Sequence, residues 1–305
     1  MQRFQNIINS DYVLITAARN EEAYINDTIE SVLAQTILPK KWVIVSDGST
    51  DRTDEIVLRY SAQHDFIQLI RRESKNEGVD FSSKVYAIYE GYQQLKNVEY
   101  YFIGILDGDV SFSPSYYENI LIRFRENDNL GIAGGLIFDK HNDRCIRRSP
   151  SDNKYVSGCI QLFRRKCYED IGGILPMKEG GEDTVAVITA RMRGWDVQAF
   201  DEFSILHHKH SNAIRGILRE TFRNGKLFYN LGSHPVIELI KSMQRIFEEP
   251  YFLVALTRIC GHTLPYFKRQ KRPVSDEFVK YMRKDQMARL RLKLRKTRVA
   301  SNETK

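Results

Sequence analysis

The fold of this chain is indicated most directly by residues 100–109, YYFIGILDGD, in which an apolar run stops at two carboxylates. Tyr100 to Leu106 are apolar at almost every position, which is typical of a central parallel strand buried on both faces. Asp107 and Asp109 follow where that strand ends. Because ligands of open α/β sheets bind beside the carboxyl ends of strands, this stretch predicts both a sheet and its functional edge.

Short apolar runs alternate with amphipathic stretches before this strand. Strands are predicted at residues 12–16, 42–46 and 66–70, and helices at 22–35, 54–64 and 82–95. Such alternation is typical of a parallel sheet that is covered by helices on both faces. The N-terminal half therefore predicts an α/β fold with a mostly parallel sheet.

The second half of the chain is less regular and ends in a helical region. Strands are predicted at residues 130–138, 155–164 and 195–200, a hairpin at 139–149, a helix from Gly180 to about 193, and a His-rich loop after Leu206. The pattern is helical from Ile214 onward, with interruptions at 232–235, Pro250 and Pro265. We predict a first domain over 1–212, divided at about residue 110, and a helical extension over 213–305.

The net charge of +7 is spread unevenly along the 305 residues. Residues 268–298 hold thirteen Lys and Arg against three acidic residues, a surplus of ten, so the remainder has a net charge of −3 (7 minus 10). A nucleic-acid-binding protein with a basic folded face is not expected from this distribution. The charge pattern indicates a basic tail on a nearly neutral body, and we expect no nucleic acid partner.

The four cysteines and the apolar segments exclude further classes. The cysteines lie at irregular spacings without a Cys-x-x-Cys pair, so we expect buried thiols and no zinc site. The sequence begins without an export signal, which favours a cytoplasmic location. The most apolar stretch, residues 250–267, contains Arg258 and His262 and is shorter than the ~20 residues of a membrane-spanning helix.

The first acidic turn is Asp47-Gly-Ser-Thr-Asp51, directly after the predicted strand at 42–46. A carboxylate at this position can accept an N–H group of a nucleotide base, and Gly48 keeps the turn open for a planar ring. The same residues are also common in an ordinary turn that caps a helix. Both interpretations of Asp47 are open at the level of sequence.

The second acidic turn is Asp107-Gly-Asp109. Residues i and i+2 of an extended segment point the same way, so both carboxylates can face one Mg²⁺ or Mn²⁺ ion. If the ligand is a nucleotide sugar, such a cation would bridge its two phosphates and neutralise the charge that develops on the leaving nucleotide. We predict that Asp107 and Asp109 are metal ligands.

The third acidic turn is Glu182-Asp183, which follows two glycines at the predicted start of a helix. Either side chain could cap the helix. The functional alternative is a general base, because direct displacement at an anomeric carbon requires a carboxylate that accepts the proton of the acceptor hydroxyl.

These motifs together resemble glycosyltransferase family 2, the nucleotide-diphospho-sugar transferases of the GT-A fold. The matching elements, over about residues 11–210, are TAARNEE at 16–22, SVLAQ at 31–35, DGSTD at 47–51, DGD at 107–109, Gly158, FRR at 163–165, Gly172-Gly173 and Glu182-Asp183. The C-terminal part, from Phe228 onward, resembles a bacterial exopolysaccharide-type branch of this family.

The resemblance implies an inverting, metal-dependent hexosyltransferase that uses Mn²⁺ or Mg²⁺. Ala17, Arg19, Glu22 and Asp47 would hold the base and ribose of a UDP- or GDP-sugar. Asp107 would bind ribose and metal, Asp109 would bind the metal directly, and Asp183, beside Glu182, would act as the catalytic base. Residues 1–212 would form the catalytic domain, with a nucleotide-binding half of about 1–110 and an acceptor half of 111–212. The acceptor would be a glycan or a lipid-linked sugar.

The sequence departs from the family pattern in its first motif. Ala17 and Arg19 stand where the family has proline and tyrosine, so an aromatic stack on the base is missing. Lys84 either reaches a donor phosphate or is a solvated lysine. The family often places a metal-binding histidine after the catalytic acid, and His207 is the first choice here, ahead of His208 and His210.

The basic tail has two interpretations. Its leucines at 290, 292 and 294 alternate with Arg and Lys, a spacing that fits neither one helix face nor a single strand. The tail is either attracted to an anionic cytoplasmic leaflet, as a peripheral membrane contact, or forms a solvated helix end followed by disorder. Two alternatives to the transferase function are a sugar nucleotidyltransferase and a catalytically silent scaffold of the same fold.

Overall fold

The structure, a computed structural model, describes residues 10–73, 81–141, 144–148, 153–208 and 216–303, with side chains as far as Leu292. The chain forms two compact units, unit 1 (Met1–Ser211) and unit 2 (Asn212–Lys305). The strands are β1 (Tyr12–Ala18), β2 (Lys41–Asp47), β3 (Ile67–Arg72), β4 (Phe102–Leu106), β5 (Val110–Phe112), β6 (Leu130–His141), β7 (Arg144–Arg147), β8 (Ile160–Arg164) and β9 (Asp196–His207).

The helices of unit 1 alternate with these strands. They are α1 (Ile25–Leu33), α2 (Thr53–Ser61), α3 (Ser82–Gln93), α4 (Tyr116–Glu126), α5 (Arg165–Asp170) and α6 (Glu182–Met192). Unit 2 contains α7 (Ile217–Asn230), α8 (Pro235–Met243), α9 (Leu253–Phe267) and α10 (Asp276–Glu303).

Unit 1 is built around one sheet with the strand order β3-β2-β1-β4-β8-β6-β9-β5, and β7 pairs with β6. Strands β1 to β4 are parallel, whereas β8 is antiparallel to both β4 and β6. The α/β class predicted from the sequence is confirmed. Because β1, β2 and β4 end at the same edge, residues that follow them can form one site.

The sheet is buried on both faces, as the apolar run at 100–106 predicts. All five residues of β4 are buried. Tyr12 and Leu14 of β1 contribute to one hydrophobic cluster, and Val13 and Ile15 contribute to the cluster on the opposite face. This alternation follows from the two-residue period of a strand. The same period determines which residues at the ends of the strands face the functional edge.

Two predicted element boundaries were wrong in unit 1. The strand predicted from 155 begins at Ile160, and the strand predicted to end at Phe200 continues to His207. Pairing with β6 and β5 extends β9, since His207 is opposite Asp139 on one side and Val110 on the other. His207 is therefore held at the end of a paired strand and does not lie in the loop that the sequence predicted.

The helices of unit 2 pack through a close crossing of α7 and α9. A Cβ on Gly225 would lie 2.2 Å from the carbonyl oxygen of Arg258, and one on Gly261 would lie 2.1 Å from that of Phe222. Pro265 was predicted to interrupt the helix but lies inside α9, which ends two residues later. Within the described ranges, no helix combines the length and the apolar composition that crossing a membrane requires.

The tail is helical, contrary to the alternative that ended in disorder, because α10 runs to Glu303. Phe278, Val279 and Met282 bury the first part of this helix in unit 2.

Candidate functional site

The first turn of α3 contacts all three acidic turns. Lys84 Nζ lies 2.6 Å from Asp107 Oδ1, at the end of β4, and 4.0 Å from Glu182 Oε1, in the first turn of α6. The preceding residue, Ser83, donates a 2.5 Å hydrogen bond to Asp47 Oδ2 at the end of β2. Two consecutive side chains thus connect acids that are far apart in sequence.

Lys84 is a paired lysine, so its interpretation as a solvated side chain was wrong. Burial lowers the pKa of Lys84, but the charges of Asp107 and Glu182 outweigh burial and raise the pKa above its ordinary value. Burial raises the pKa of Glu182, and the charge of Lys84 offsets part of that increase. The ammonium group therefore stays charged at neutral pH between carboxylates at the functional edge.

Asp109 and His207 form a second cluster at the same edge. His207 Nε2 lies 3.4 Å from Asp109 Oδ2, and His207 Nδ1 lies 3.1 Å from Asp139 Oδ1. Arg148 contacts both Asp139 and His207, since its terminal nitrogen lies 2.6 Å from Asp139 Oδ1 and 3.0 Å from His207 Nδ1. His208, in contrast, lies 2.9 Å from Ser111 Oγ, and His210 is outside the described residues.

The Asp109 cluster has the chemistry of a partial metal site. Among the described residues, no group of three or more His, Cys, Asp and Glu side chains is arranged to hold a metal ion. Asp109 and His207 supply one carboxylate and one imidazole, a donor pair that suits Mn²⁺ at least as well as Mg²⁺. Asp139 can accept a hydrogen bond from Nδ1 and so leave Nε2 free to coordinate. These residues fit a cation whose remaining ligands come from a bound diphosphate.

Asp183 is held by several hydrogen bonds. Tyr155 donates to Asp183 Oδ2 at 2.5 Å, the Gly158 amide donates to the same oxygen at 3.1 Å, and the Thr184 amide donates to Oδ1 at 2.6 Å. Burial and the charge of Asp183 raise the pKa of Tyr155, so the phenol remains a donor. A Cβ on Gly158 would lie 2.8 Å from Asp183 Cβ, which explains why this position lacks a side chain.

Neither acid of the third turn occupies the cap position of the helix. The residue at the N-cap of α6 is Gly181, with φ of 89°, and Asp183 accepts the Thr184 amide from within the first turn. A left-handed φ of this size is readily adopted only by glycine. Glu182 and Asp183 occupy the first turn of the helix, where the positive end of the helix dipole favours ionised carboxylates.

Asp47 is bound by its own chain. Its Oδ1 accepts a 2.5 Å charged hydrogen bond from Arg72 at the end of β3, and Ser83 occupies Oδ2. Arg72 also contacts Glu90 at 3.0 Å. No role for Arg72 was predicted from the sequence, although a basic residue where the third strand ends was the signal that could have identified it.

The first motif packs against the Asp47 turn through polar contacts. Asn20, with φ of 54°, accepts a hydrogen bond from the Thr50 amide at 2.8 Å, and Glu22 accepts one from the Arg52 amide at 3.1 Å. Arg19 is exposed and Ala17 is half-buried. Glu22 thus has a clear structural contact, and the nucleotide-binding roles of these residues stay predictions.

A cavity of about 300 Å³ lies away from these acids. It lies among α3, α5 and the Gly172-Gly173 turn and is lined mainly by Val85, Ile88, Tyr89, Tyr92 and Tyr168. Because none of the predicted site residues lines this cavity, size alone does not identify the functional site. The convergence of carboxylates, Lys84 and His207 at the strand ends is the more specific observation.

Comparison with known families decides the assignment. The sequence model described as glycosyl transferase family 2 matches residues 13–172, more than half of the chain. The chain belongs to glycosyl transferase family 2. The matched region of this family-2 chain contains β1 to β4, the turns after them and Gly158, which confirms the resemblance that the sequence motifs indicated.

Relatives of this family-2 chain include the poly-beta-1,6-N-acetyl-D-glucosamine synthases of Staphylococcus epidermidis, 27% identical over 176 residues, and of Staphylococcus aureus strain COL, 26% identical over 178 residues. Each alignment covers 52% of this chain and 40% of the relative. The chain therefore spans less than half the length of these relatives. Their names support the exopolysaccharide-type branch.

Solved structures of glycosyltransferases share the fold. Staphylococcus aureus TarS 1–349, in complex with UDP-GlcNAc, has a TM-score of 0.53 and 17% identity, covering 85% of this chain and 73% of that one. A mannosyltransferase from Pyrobaculum calidifontis, in complex with GDP-Man and Mn²⁺, has a TM-score of 0.51 and 15% identity, covering 82% and 69%. The GT-A fold predicted from the sequence is confirmed.

Proposed function

We propose that unit 1 is a metal-dependent, inverting glycosyltransferase that moves a hexosyl group from a UDP- or GDP-sugar to an acceptor hydroxyl. The observation that carries this proposal is the convergence at α3, where Ser83 contacts Asp47 and Lys84 contacts both Asp107 and Glu182. One edge of one sheet can then bind the nucleobase and the diphosphate of the donor and also supply the general base. We include in this proposal that all catalytic residues lie within residues 1–212.

The cation would be held by Asp109 and His207, with Asp107 as a helper. When bound, Mn²⁺ or Mg²⁺ would neutralise charge on the departing diphosphate. Lys84 supplies a fixed positive charge beside Asp107, and a donor phosphate would compete with that carboxylate for the ammonium group. Arg72 and Asp47 would orient the base, with Ala17, Arg19 and Glu22 on the adjacent turn.

Asp183 would act as the general base. It would accept the proton of the acceptor hydroxyl while the new bond from that oxygen to the anomeric carbon forms and the bond to the diphosphate oxygen breaks. Tyr155, Gly158 and Thr184 orient the carboxylate through their hydrogen bonds. Attack opposite the leaving group inverts the configuration, and the nucleoside diphosphate departs with the bonding electrons.

The names of the staphylococcal relatives support a role in envelope or exopolysaccharide synthesis, with a glycan or lipid-linked sugar as acceptor. The structures with UDP-GlcNAc and with GDP-Man and Mn²⁺ support the donor class and the use of a divalent cation. A sugar nucleotidyltransferase would need a loop that cradles a triphosphate, and the turn at residues 16–22 contains no glycine. The cytoplasmic location stays a prediction.

The donor site is tested by thermal unfolding of the full chain with UDP, GDP and their sugars, with and without Mn²⁺. We expect one nucleotide to raise the melting temperature in a metal-dependent manner, because a ligand that binds only the folded state stabilises it. Asp109→Ala should abolish the metal-dependent part of that increase. Asp201→Ala is the matched control, since Asp201 is exposed and its carboxylate lies 3.8 Å from Arg147.

Two results would contradict the proposal. If no nucleotide or nucleotide sugar stabilises the chain, a silent scaffold becomes the better explanation. If stabilisation is equal with and without Mn²⁺ and is unchanged in Asp109→Ala, the donor site is metal-independent and the assignment of Asp109 fails.

A further inference from the structure

Exposed apolar side chains are concentrated in unit 2. Eleven large hydrophobic residues are exposed between Val236 and Phe267, whereas the described part of unit 1 has eight such residues spread between Leu38 and Leu175. Phe247, Phe252 and Phe267 are 81%, 66% and 83% exposed. A concentration of this kind is unusual for a surface that faces only water. We call the exposed hydrophobic residues of 236–267 the apolar face.

The apolar face is organised by helix periodicity. On α9, Leu253, Leu256, Leu264 and Phe267 are exposed and follow helical spacing. The opposite side of α9 is buried through Val254, Ala255, Arg258, Gly261, His262 and Pro265. Helix α8 repeats the arrangement, with Val236, Leu239 and Met243 exposed at intervals of three and four residues. Both helices therefore have an apolar side that packing within unit 2 does not use.

The composition and charge around this face identify its occupant. Three of the six residues at 247–252 are aromatic, as are the last two residues of α9, and amphipathic aromatic surfaces are favoured where water meets lipid. The two acidic residues of the segment, Glu248 and Glu249, are outnumbered by the basic residues that follow α9. Helix α9 is followed directly by Lys268, Arg269, Lys271 and Arg272, the start of the segment with a surplus of ten basic residues. An anionic lipid surface would satisfy the aromatic and the basic groups together. A second copy of the chain would instead bring two strongly basic segments together.

We propose that the apolar face of unit 2 inserts into the headgroup region of an anionic membrane, with the basic segment from Lys268 onward held against the lipid phosphates. The chain then lies on the bilayer as a peripheral protein. This inference does not depend on the sugar-transfer proposal, although a membrane position would bring the enzyme to a lipid-linked acceptor. Insertion of the apolar face adds an apolar contact to the electrostatic attraction that the basic tail alone would provide.

The proposal is tested by co-sedimentation of the full chain with vesicles of phosphatidylcholine, alone or with about one-third phosphatidylglycerol. The variant Phe247→Ser/Phe252→Ser/Phe267→Ser removes the most exposed part of the apolar face. We expect it to lower the partition coefficient on anionic vesicles by about tenfold or more, even at low salt, because the apolar contribution is lost. The variant Lys268→Gln/Arg269→Gln/Lys271→Gln should instead reduce the salt-dependent part of binding.

A matched control removes three exposed apolar side chains from unit 1. Leu38, Leu58 and Tyr89 are 47%, 43% and 62% exposed, and their simultaneous change to serine should leave vesicle binding as in the wild type. Phe252→Trp gives an independent readout of depth. Its added fluorescence should be quenched by brominated acyl chains, beyond any quenching of Trp42 and Trp195 in the wild type.

Three outcomes would overturn the proposal. The full chain could fail to bind anionic vesicles at low salt, or the triple phenylalanine variant could bind as well as the wild type, which would leave only the basic tail. The third outcome is self-association that the same variant abolishes without vesicle binding, which would identify a second copy as the occupant. Donor binding in the thermal assay uses no membrane, so failure of either proposal is visible separately.

Discussion

Charged side chains converge in both units, but the two clusters differ in how completely they are enclosed. In unit 1, the side chains of Lys84 and Asp107 are 25% and 26% exposed and face the end of a parallel sheet. In unit 2, Glu238 and Arg258 are 3% and 6% exposed and lie 2.6 Å apart. The first cluster is accessible to a ligand, whereas the second is closed.

The partners explain the difference. Glu238 Oε1 also accepts a 2.7 Å hydrogen bond from Ser233 and lies 3.2 Å from Lys241, so both of its oxygens are bound within unit 2. Burial alone would raise the pKa of Glu238, but Lys241 and Arg258 outweigh burial and lower the pKa below its ordinary value. A buried carboxylate with both oxygens bound in this way is structural, whereas carboxylates at an open strand edge can exchange partners with a ligand.

The largest expected effect is on turnover in unit 1. Asp183→Asn should lower kcat by about 10²–10⁴-fold, because the amide cannot accept the acceptor's proton. Donor affinity should change little, since asparagine keeps the shape of the side chain. The melting temperature should fall modestly, because the amide has one acceptor oxygen and cannot accept from Thr184 on one side and from Tyr155 and Gly158 on the other. Product formation under single-turnover conditions and nucleotide binding measure the two properties separately.

Asp201→Asn serves as the control for this change, because Asp201 is an exposed aspartate of the same unit. Equal turnover in Asp183→Asn and the wild type would exclude Asp183 as the base. A fall in donor affinity as large as the fall in kcat would indicate a binding role for this carboxylate.

The second effect is on the stability of unit 2. Arg258→Leu should destabilise the unit by about 3–5 kcal/mol, because Glu238 is left buried without its closest cationic partner. Nucleotide binding by unit 1 should be retained. Denaturant unfolding followed by circular dichroism measures the free energy, and the nucleotide panel measures the donor site.

Arg245→Leu is the matched control, since Arg245 forms an exposed pair with Glu248 at 3.5 Å, and the loss should be small. The pH dependence gives a second check. Because the pKa of Glu238 is lowered in the folded state, its stabilisation is present above the ordinary carboxyl pKa and is lost as the pH falls through the lowered value. An Arg258→Leu protein as stable as the control would show that the cluster contributes nothing.

The smallest effect separates two neighbouring histidines. His207→Ala should weaken Mn²⁺-dependent nucleotide binding by at least about tenfold, because it removes the imidazole beside Asp109. His208→Ala should leave that binding unchanged, since its ring contacts Ser111 and stacks on Tyr24. Titration of Mn²⁺ at fixed nucleotide measures the difference. Equal affinities in the two variants would remove His207 from the metal site.

Local sequence patterns predicted most of unit 1 because helices and strands depend largely on neighbouring residues. The apolar run at 100–106, the glycines before Glu182 and the alternation of the first half were sufficient for the α/β class and for the position of the acidic turns. The same patterns misplaced the end of β9, since pairing with β5 and β6 extends that strand to His207. They also missed Tyr155, because nothing near it in sequence indicates a contact with residue 183.

The family, the order of the elements and the acids that end the strands could be predicted from the sequence, because each of these features is encoded in a short segment. The partners of those acids became known only from the fold. Arg72 reaches Asp47, Lys84 joins Asp107 to Glu182, and Asp139 meets His207. The physical reason is that these contacts join segments far apart in the chain, and packing of the sheet and its helices brings them together.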